Sequence, residues 1–147
     1  MLYLVHHADA LPPDVDPQRP LSIEGRTHAE RLAREVAQLR VEPDVVWHSG
    51  KLRARQTAEL FWRACNPLAE FAAVRGLQPT DPPEWIKDTV TGDPREIMLV
   101  GHMPHLPRAY HLFVRGTSDE APSDFPLHGV VALESVGDRW VERWRRE

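Results

Sequence analysis

Cysteine is nearly absent from this 147-residue chain: Cys65 stands alone, so no intrachain disulfide can form, and neither a cysteine-paired metal site nor a secreted disulfide framework is available. A reducing compartment, the cytoplasm, is the expected setting. Long apolar runs are lacking too. The first, Leu2 to Val5, stops at His6 and His7, which predicts neither a signal peptide nor a membrane span. Excess positive charge is also missing: the net charge is -4, which argues against nucleic acid as a partner, since such binding needs a basic surface. Among the 18 basic residues only Lys51 and Lys87 are lysine, and Asn66 is the sole asparagine. The length is that of one ordinary domain, residues 1–147, with a core that holds without staples.

Apolar periodicity then lays out the elements. Leu2 to Val5 reads as a buried strand of a parallel sheet. After a proline-rich, acidic loop from Leu11 to Pro20, Ser22 can cap a helix. Its Ala29, Leu32, Ala33, Val36 and Ala37 recur at helical spacing, and Arg26, Glu30, Arg31, Arg34 and Glu35 face outward. Asp44 to Trp47 is a second strand, and Leu52 to Ala64 a second helix with Ala54, Thr57, Ala58, Phe61 and Cys65 on one face. A weaker strand at Phe71 to Val74, a short helix at Glu84 to Val90 and a strand at Ile97 to Val100 follow. Next comes a helix with Pro104 and Pro107 in its first turns, where proline is best tolerated. Val130 to Glu134 and Trp140 to Trp144 form a closing pair of strands around the Gly137-Asp138 turn. This alternation predicts an α/β fold: a three-layer α/β/α sandwich with a mostly parallel central sheet and an antiparallel edge strand.

Ligands in such sheets sit outside the carboxyl ends of the strands. Three polar clusters stand there: His6-His7-Ala8, Ser49 to Arg53, and Gly101-His102. A neutral histidine at a strand end can attack phosphorus through one ring nitrogen if the other is held by a hydrogen bond, and His7 suits that role. The dianionic phosphoryl group needs planar cations around its oxygens, for which Arg53 and Arg19 are the candidates. His102 can donate to the same oxygens, helped by the helix N-terminus that follows it.

Four stretches, LYLVHHADA, RPLSIEG with Arg19, HSGKLRARQTAE with Arg53, and MLVGHMPHL with His102, together resemble the histidine phosphatase (phosphoglycerate mutase-like) superfamily, and within it the short SixA-type phosphohistidine phosphatases. The resemblance covers nearly the whole chain. It implies a covalent phosphohistidine intermediate on His7, a phosphate pocket from His6, Arg19, Arg53 and His102, catalysis by His7 with His102 and Arg53, and neither metal nor organic cofactor. It also implies a phosphorylated protein or small phosphorylated compound as substrate. One position departs from the pattern, because the family's first motif opens with an arginine and this chain has His6. Losing one preorganised donor costs about 3 to 4 kcal/mol, roughly 100- to 1000-fold in rate. Two expectations follow: a slow or acid-shifted phosphatase in which the substrate dianion draws a proton onto His6, or a degenerate member that binds phosphate or a phosphorylated partner without turnover.

Other readings of these residues are weaker. A metal-hydrolase set of His6, His7, Asp9, His102 and His105 lacks a short ligand spacing and would have arginines beside it. His48, His105, His111 and His128 are expected to pack or face solvent. Asp81 and Glu84 lie where larger relatives carry a general acid, but nothing in the sequence brings either to the pocket. The tryptophans read as core or sheet-face residues, with Trp85 placed to shape substrate entry. A mutase would need a larger sugar-acid pocket than this short chain provides.

Overall fold

A computed structural model describes residues 1–119 and 124–147. Its elements run β1 (Leu2–His6), α1 (Ile23–Gln38), β2 (Val45–His48), α2 (Leu52–Cys65), β3 (Glu70–Ala73), α3 (Pro83–Val90), β4 (Ile97–Gly101), α4 (His105–Arg115), β5 (Val130–Val136) and β6 (Arg139–Arg146). They form a six-stranded sheet in the order β3-β2-β4-β1-β5-β6. The first four strands in that order run parallel, while β5 pairs antiparallel with β1 and β6 antiparallel with β5. The expected antiparallel edge is therefore a whole hairpin, two strands wide.

Strand alternation splits the core into two halves. Tyr3, Val5, Val46, Met98, Val100, Val130 and Ala132 meet Leu32, Val36, Ala54, Ala58 and Phe61 of α1 and α2. Leu2, Leu4, Val45, Leu99, Val131 and Leu133 point the other way, onto Ile86 and Val90 of α3 and Leu106, Ala109 and Phe113 of α4. Side chains two apart share a face and neighbours do not, so the sheet is covered on both sides. That is the three-layer sandwich expected from sequence.

This topology positions the site. The chain leaving β1 passes to α1 on one face, while the chain leaving the adjacent β4 passes to α4 on the other. Where neighbouring parallel strands send their connections to opposite faces, a crevice opens at their carboxyl ends. His7 follows β1 and His102 follows β4, so the crevice takes one histidine from each lip.

Candidate active site

His6, His7 and His102 are all buried, at 5%, 9% and 1% exposure. The rings of His7 and His102 lie 5.0 Å apart between centroids, close enough to share one anion. His7 Nδ1 donates to the Ala8 carbonyl at 2.7 Å; a carbonyl only accepts, so this contact fixes the tautomer and leaves a lone pair on Nε2. Burial pushes the His7 pKa down to about 4, opposed by the Ala8 bond and reinforced by Arg53, His128 and Arg19. At neutral pH His7 is uncharged, as a nucleophile must be.

α2 delivers the cation. Its N-terminal turns present Arg53, Gln56 and Thr57 on one side, three and four residues apart. Thr57 Oγ1 accepts from the Ala8 N–H at 2.9 Å and donates to the Arg53 carbonyl at 2.8 Å, tying the nucleophile's loop to the helix. Gln56 Oε1 accepts from the Leu21 N–H at 2.8 Å, which anchors the Arg19 segment. Arg19 itself has a positive φ of 51°, and its Nε donates to the Leu11 carbonyl at 3.0 Å. Sequence reasoning found the two arginines but missed Gln56 and Thr57 as the residues that position them.

Neither guanidinium has an acidic partner among the described residues. Among the described residues the ion pairs belong to Arg55, Arg95, Arg143 and Arg145, in a chain whose acids outnumber its bases. Arg53 holds its proton less tightly than usual, through burial first and the Arg19 charge second. Its Nε and His102 Nδ1 are buried with no hydrogen-bond partner among the described residues. His102 Nε2 is taken by Ser49 Oγ at 2.6 Å, and that hydroxyl oxygen also accepts from the Lys51 N–H at 3.3 Å. The hydroxyl can serve Nε2 as donor or as acceptor; as donor it leaves the hydrogen of the neutral ring on Nδ1. With the hydrogen on Nδ1, His102 and Arg53 Nε present two buried donors without an acceptor among the described residues, an arrangement that an oxyanion satisfies.

His6 is not arranged to take the second proton foreseen for it. Its Nδ1 accepts from the His128 backbone N–H at 2.8 Å, so the neutral ring carries its hydrogen on Nε2. A second proton on Nδ1 would face another N–H. Burial, with His7, His128 and Arg53 nearby, pushes its pKa down to about 3. The acid-shifted rescue through protonated His6 is therefore opposed by geometry, and His6 offers one neutral donor at all ordinary pH values.

The largest surprise is His128, expected to pack or face solvent. Its ring stacks on His6 at 4.8 Å with 7° between planes, and its Nδ1 donates to the His7 carbonyl at 2.7 Å. One nitrogen from each of His6, His7 and His128 lies within 4.8 Å of the other two. The metal set considered from sequence is not assembled: Asp9 accepts from Ser22 Oγ at 2.6 Å, and His105 is fully buried against the Gly76 backbone without a well-formed hydrogen bond. The three clustered imidazoles make a poor cation site as well, since His6 Nδ1 already accepts a backbone bond, its Nε2 holds a hydrogen, and two arginines stand nearby.

Neither carboxylate considered as a general acid touches a site imidazole. Asp81 Oδ2 accepts from the Gln78 N–H at 3.0 Å, and Gln78 Nε2 donates to the Ser49 carbonyl at 2.6 Å, which leaves Asp81 behind the His102 support. Glu84 is exposed in the first turn of α3. Trp85 lies beneath the Arg75 guanidinium at 4.0 Å. His48 is likewise turned to support, its Nδ1 accepting from the Gly50 N–H at 3.0 Å.

Comparison with known proteins gives concordant findings. A family model for the histidine phosphatase superfamily (branch 1) matches residues 13–93. An uncharacterised protein of Picosynechococcus sp. is 32% identical over 113 residues, 71% of this chain and 67% of that protein. The solved structure of the protein histidine phosphatase SixA complexed with tungstate superposes with a TM-score of 0.84 at 21% identity, covering 98% of this chain and 94% of that one. A proposed phosphohistidine phosphatase SixA from Agrobacterium tumefaciens gives 0.81 at 26% identity over 99% and 96%. The lower identity speaks to the fold alone.

Proposed function

The chain belongs to the histidine phosphatase superfamily, and from that premise we propose that residues 1–147 form a single domain that hydrolyses phosphohistidine in a protein or peptide, or a small phosphoester. His7 Nε2 attacks phosphorus, the bond from phosphorus to the leaving nitrogen or oxygen breaks, and a phosphohistidine forms on His7. Water then attacks that phosphorus, releasing inorganic phosphate and restoring the neutral ring. Throughout, Nδ1–H stays on the Ala8 carbonyl, so the positive charge that develops on the phosphorylated ring meets a carbonyl dipole. Arg53, Arg19, the His102 ring and His6 Nε2–H hold the equatorial oxygens. The chemistry draws on no metal or organic cofactor in this reading.

What carries the proposal is the pairing of a neutral, tautomerically fixed His7 with a buried Arg53 Nε and His102 Nδ1 that have no hydrogen-bond partner among the described residues. The protein is expected to act away from membranes, in the cytoplasm. Among the described residues no helix is long and apolar enough to cross a bilayer.

The test is incubation with a phosphohistidine peptide and with a generic aryl phosphate, following phosphate release and an acid-labile, base-stable phosphoenzyme. His7→Ala should abolish the phosphoenzyme, and Arg53→Ala should slow its formation by about 100- to 1000-fold. The rival is a protein that binds phosphate without turnover, favoured by the single neutral donor at His6. Phosphate binding by the wild type with no phosphoenzyme on either substrate would select it.

A further inference from the structure

His128 lies outside every motif that pointed to the pocket, yet the fold fixes it there. Its backbone has a φ of 54°, in the left-handed region that costs most residues energy and histidine somewhat less. The segment around it is anchored on both sides. The Gly129 N–H donates to the Pro126 carbonyl, and the Gly129 carbonyl accepts from the His6 N–H, each at 3.0 Å. A Cβ on residue 129 would stand 2.5 Å from the Arg146 carbonyl oxygen, so only glycine permits the approach. Held this way, His128 gives its backbone N–H to His6 Nδ1, its Nδ1–H to the His7 carbonyl, and its ring face to His6. Because a carbonyl only accepts, Nδ1 keeps the hydrogen and Nε2 the lone pair. Nε2 has no hydrogen-bond partner among the described residues.

We propose that His128 is an anion-binding residue of the pocket: when a phosphoryl dianion enters, Nε2 takes a proton from solvent and donates it in a hydrogen bond to one of the oxygens, while Nδ1–H stays on the His7 carbonyl. The inference rests on reading the pocket as a phosphoryl site. Of the four imidazoles there, His128 is the best placed to carry two hydrogens. His7 must keep Nε2 free to attack, His6 Nδ1 faces a backbone N–H, and His102 is wholly buried with Nε2 on Ser49. His128 is half-buried, so a proton can reach it. Among the described residues the titratable groups facing it are His6 and His7 from the end of β1 and His28 from α1. Among the described residues no carboxylate lies within ion-pair distance of it. A charged His128 restores to the pocket the cation that neutral His6 does not provide.

Sulfate is the suitable probe, being a dianion of fixed charge between about pH 5.5 and 8.5, where histidine titrates. The comparison variant is His128→Asn, since asparagine tolerates the left-handed backbone and keeps a donor for the His7 carbonyl but cannot take up a proton. Near pH 6 the variant should bind sulfate about tenfold more weakly than wild type, with the gap closing toward pH 8.5. Calorimetry near pH 7 in buffers of different ionisation enthalpy should find about half a proton fewer taken up per sulfate by the variant. Equal losses at both pH values, or equal proton uptake, would overturn the proposal. In the unsubstituted protein, the ring-nitrogen resonances of His128 should change from neutral to doubly protonated on saturation with sulfate at neutral pH; a ring that stays neutral overturns it without any variant. If wild type binds no sulfate and Arg53→Ala changes nothing, the phosphoryl reading falls as well. If sulfate binds through Arg53 while His128 stays neutral, this inference fails alone.

Discussion

A histidine attacks phosphorus only while its second nitrogen keeps the hydrogen, and in this chain that hydrogen sits on the carbonyl of the next residue, Ala8. The peptide unit around Ala8 is itself held by Thr57, whose hydroxyl accepts the Ala8 N–H inside the core. Thr57→Val keeps the shape of the side chain and removes the acceptor. A buried N–H without a partner costs about 1 to 3 kcal/mol. The variant should lose that much unfolding free energy in urea and slow phosphoenzyme formation, with little change in the substrate concentration needed. Stability within about 0.5 kcal/mol of wild type would show that the bond does not matter. His7, His102 and the two arginines were legible from sequence because each stands just past a strand or near a helix start, where periodicity breaks and polar residues gather. His128 was not legible. Its place depends on a left-handed turn and on the pairing of β5 with β1, far apart in the chain, and no local pattern announces either.

The start of α1 illustrates how an element serves the site. Ser22 caps the helix by accepting the Gly25 N–H at 2.9 Å, and it donates to Asp9 Oδ2 at 2.6 Å, so the loop leaving β1 is clasped to the helix that follows. Gly25 lies against that loop. A Cβ there would be 2.0 Å from the Asp9 carbonyl oxygen, and a backbone atom cannot swing aside as a flexible side chain can. Gly25→Ala should therefore cost about 3 kcal/mol or more and disturb the His7 loop. Gly92→Ala is the control, with open space but a φ of 81°, and should cost about 1 to 2 kcal/mol with activity intact. Comparable losses of stability in the two variants would refute the close-approach argument. The helices themselves were readable, because every apolar position assigned to the inner face of α2 is buried and the α1 cap was named from Ser22. The width of the antiparallel edge was less so. β6 alternates half-buried and exposed residues, a pattern that marks a strand without revealing which neighbour it joins.

At the scale of the whole molecule, an acidic chain has gathered uncharged imidazoles at one end of its sheet, beside guanidiniums that have no acidic partner among the described residues. Burial, the first cause in each case, lowers the pKa of His6 to about 3 and of His7 and His105 to about 4, and that of His102 further still. In the unfolded chain these groups titrate near 6.5. Above that pH neither state binds their protons, and they add no pH dependence. As pH falls below it, the unfolded chain takes up protons that the folded chain refuses, so stability declines, by up to about 1.4 kcal/mol per pH unit for each group. The window runs from about 6.5 down to about 4 for His7 and His105, and lower for His6 and His102. Urea midpoints measured from neutral pH downward should therefore fall steeply below pH 6.5, well before ordinary carboxylates titrate near 4. Saturating phosphate should raise the midpoint, by about 2.7 kcal/mol in stability at a hundred times its Kd. It should also flatten the decline only in part, because His105, the first residue of α4, is fully buried and feels Asp81 and Arg108 rather than the pocket's arginines and imidazoles, so it keeps refusing its proton. His105→Leu, which removes that imidazole, should make the remaining decline shallower still when phosphate is present. A midpoint that stays level between pH 7 and 5, with or without phosphate, would mean that the folded chain accepts these protons and that the imidazoles are not held neutral by burial.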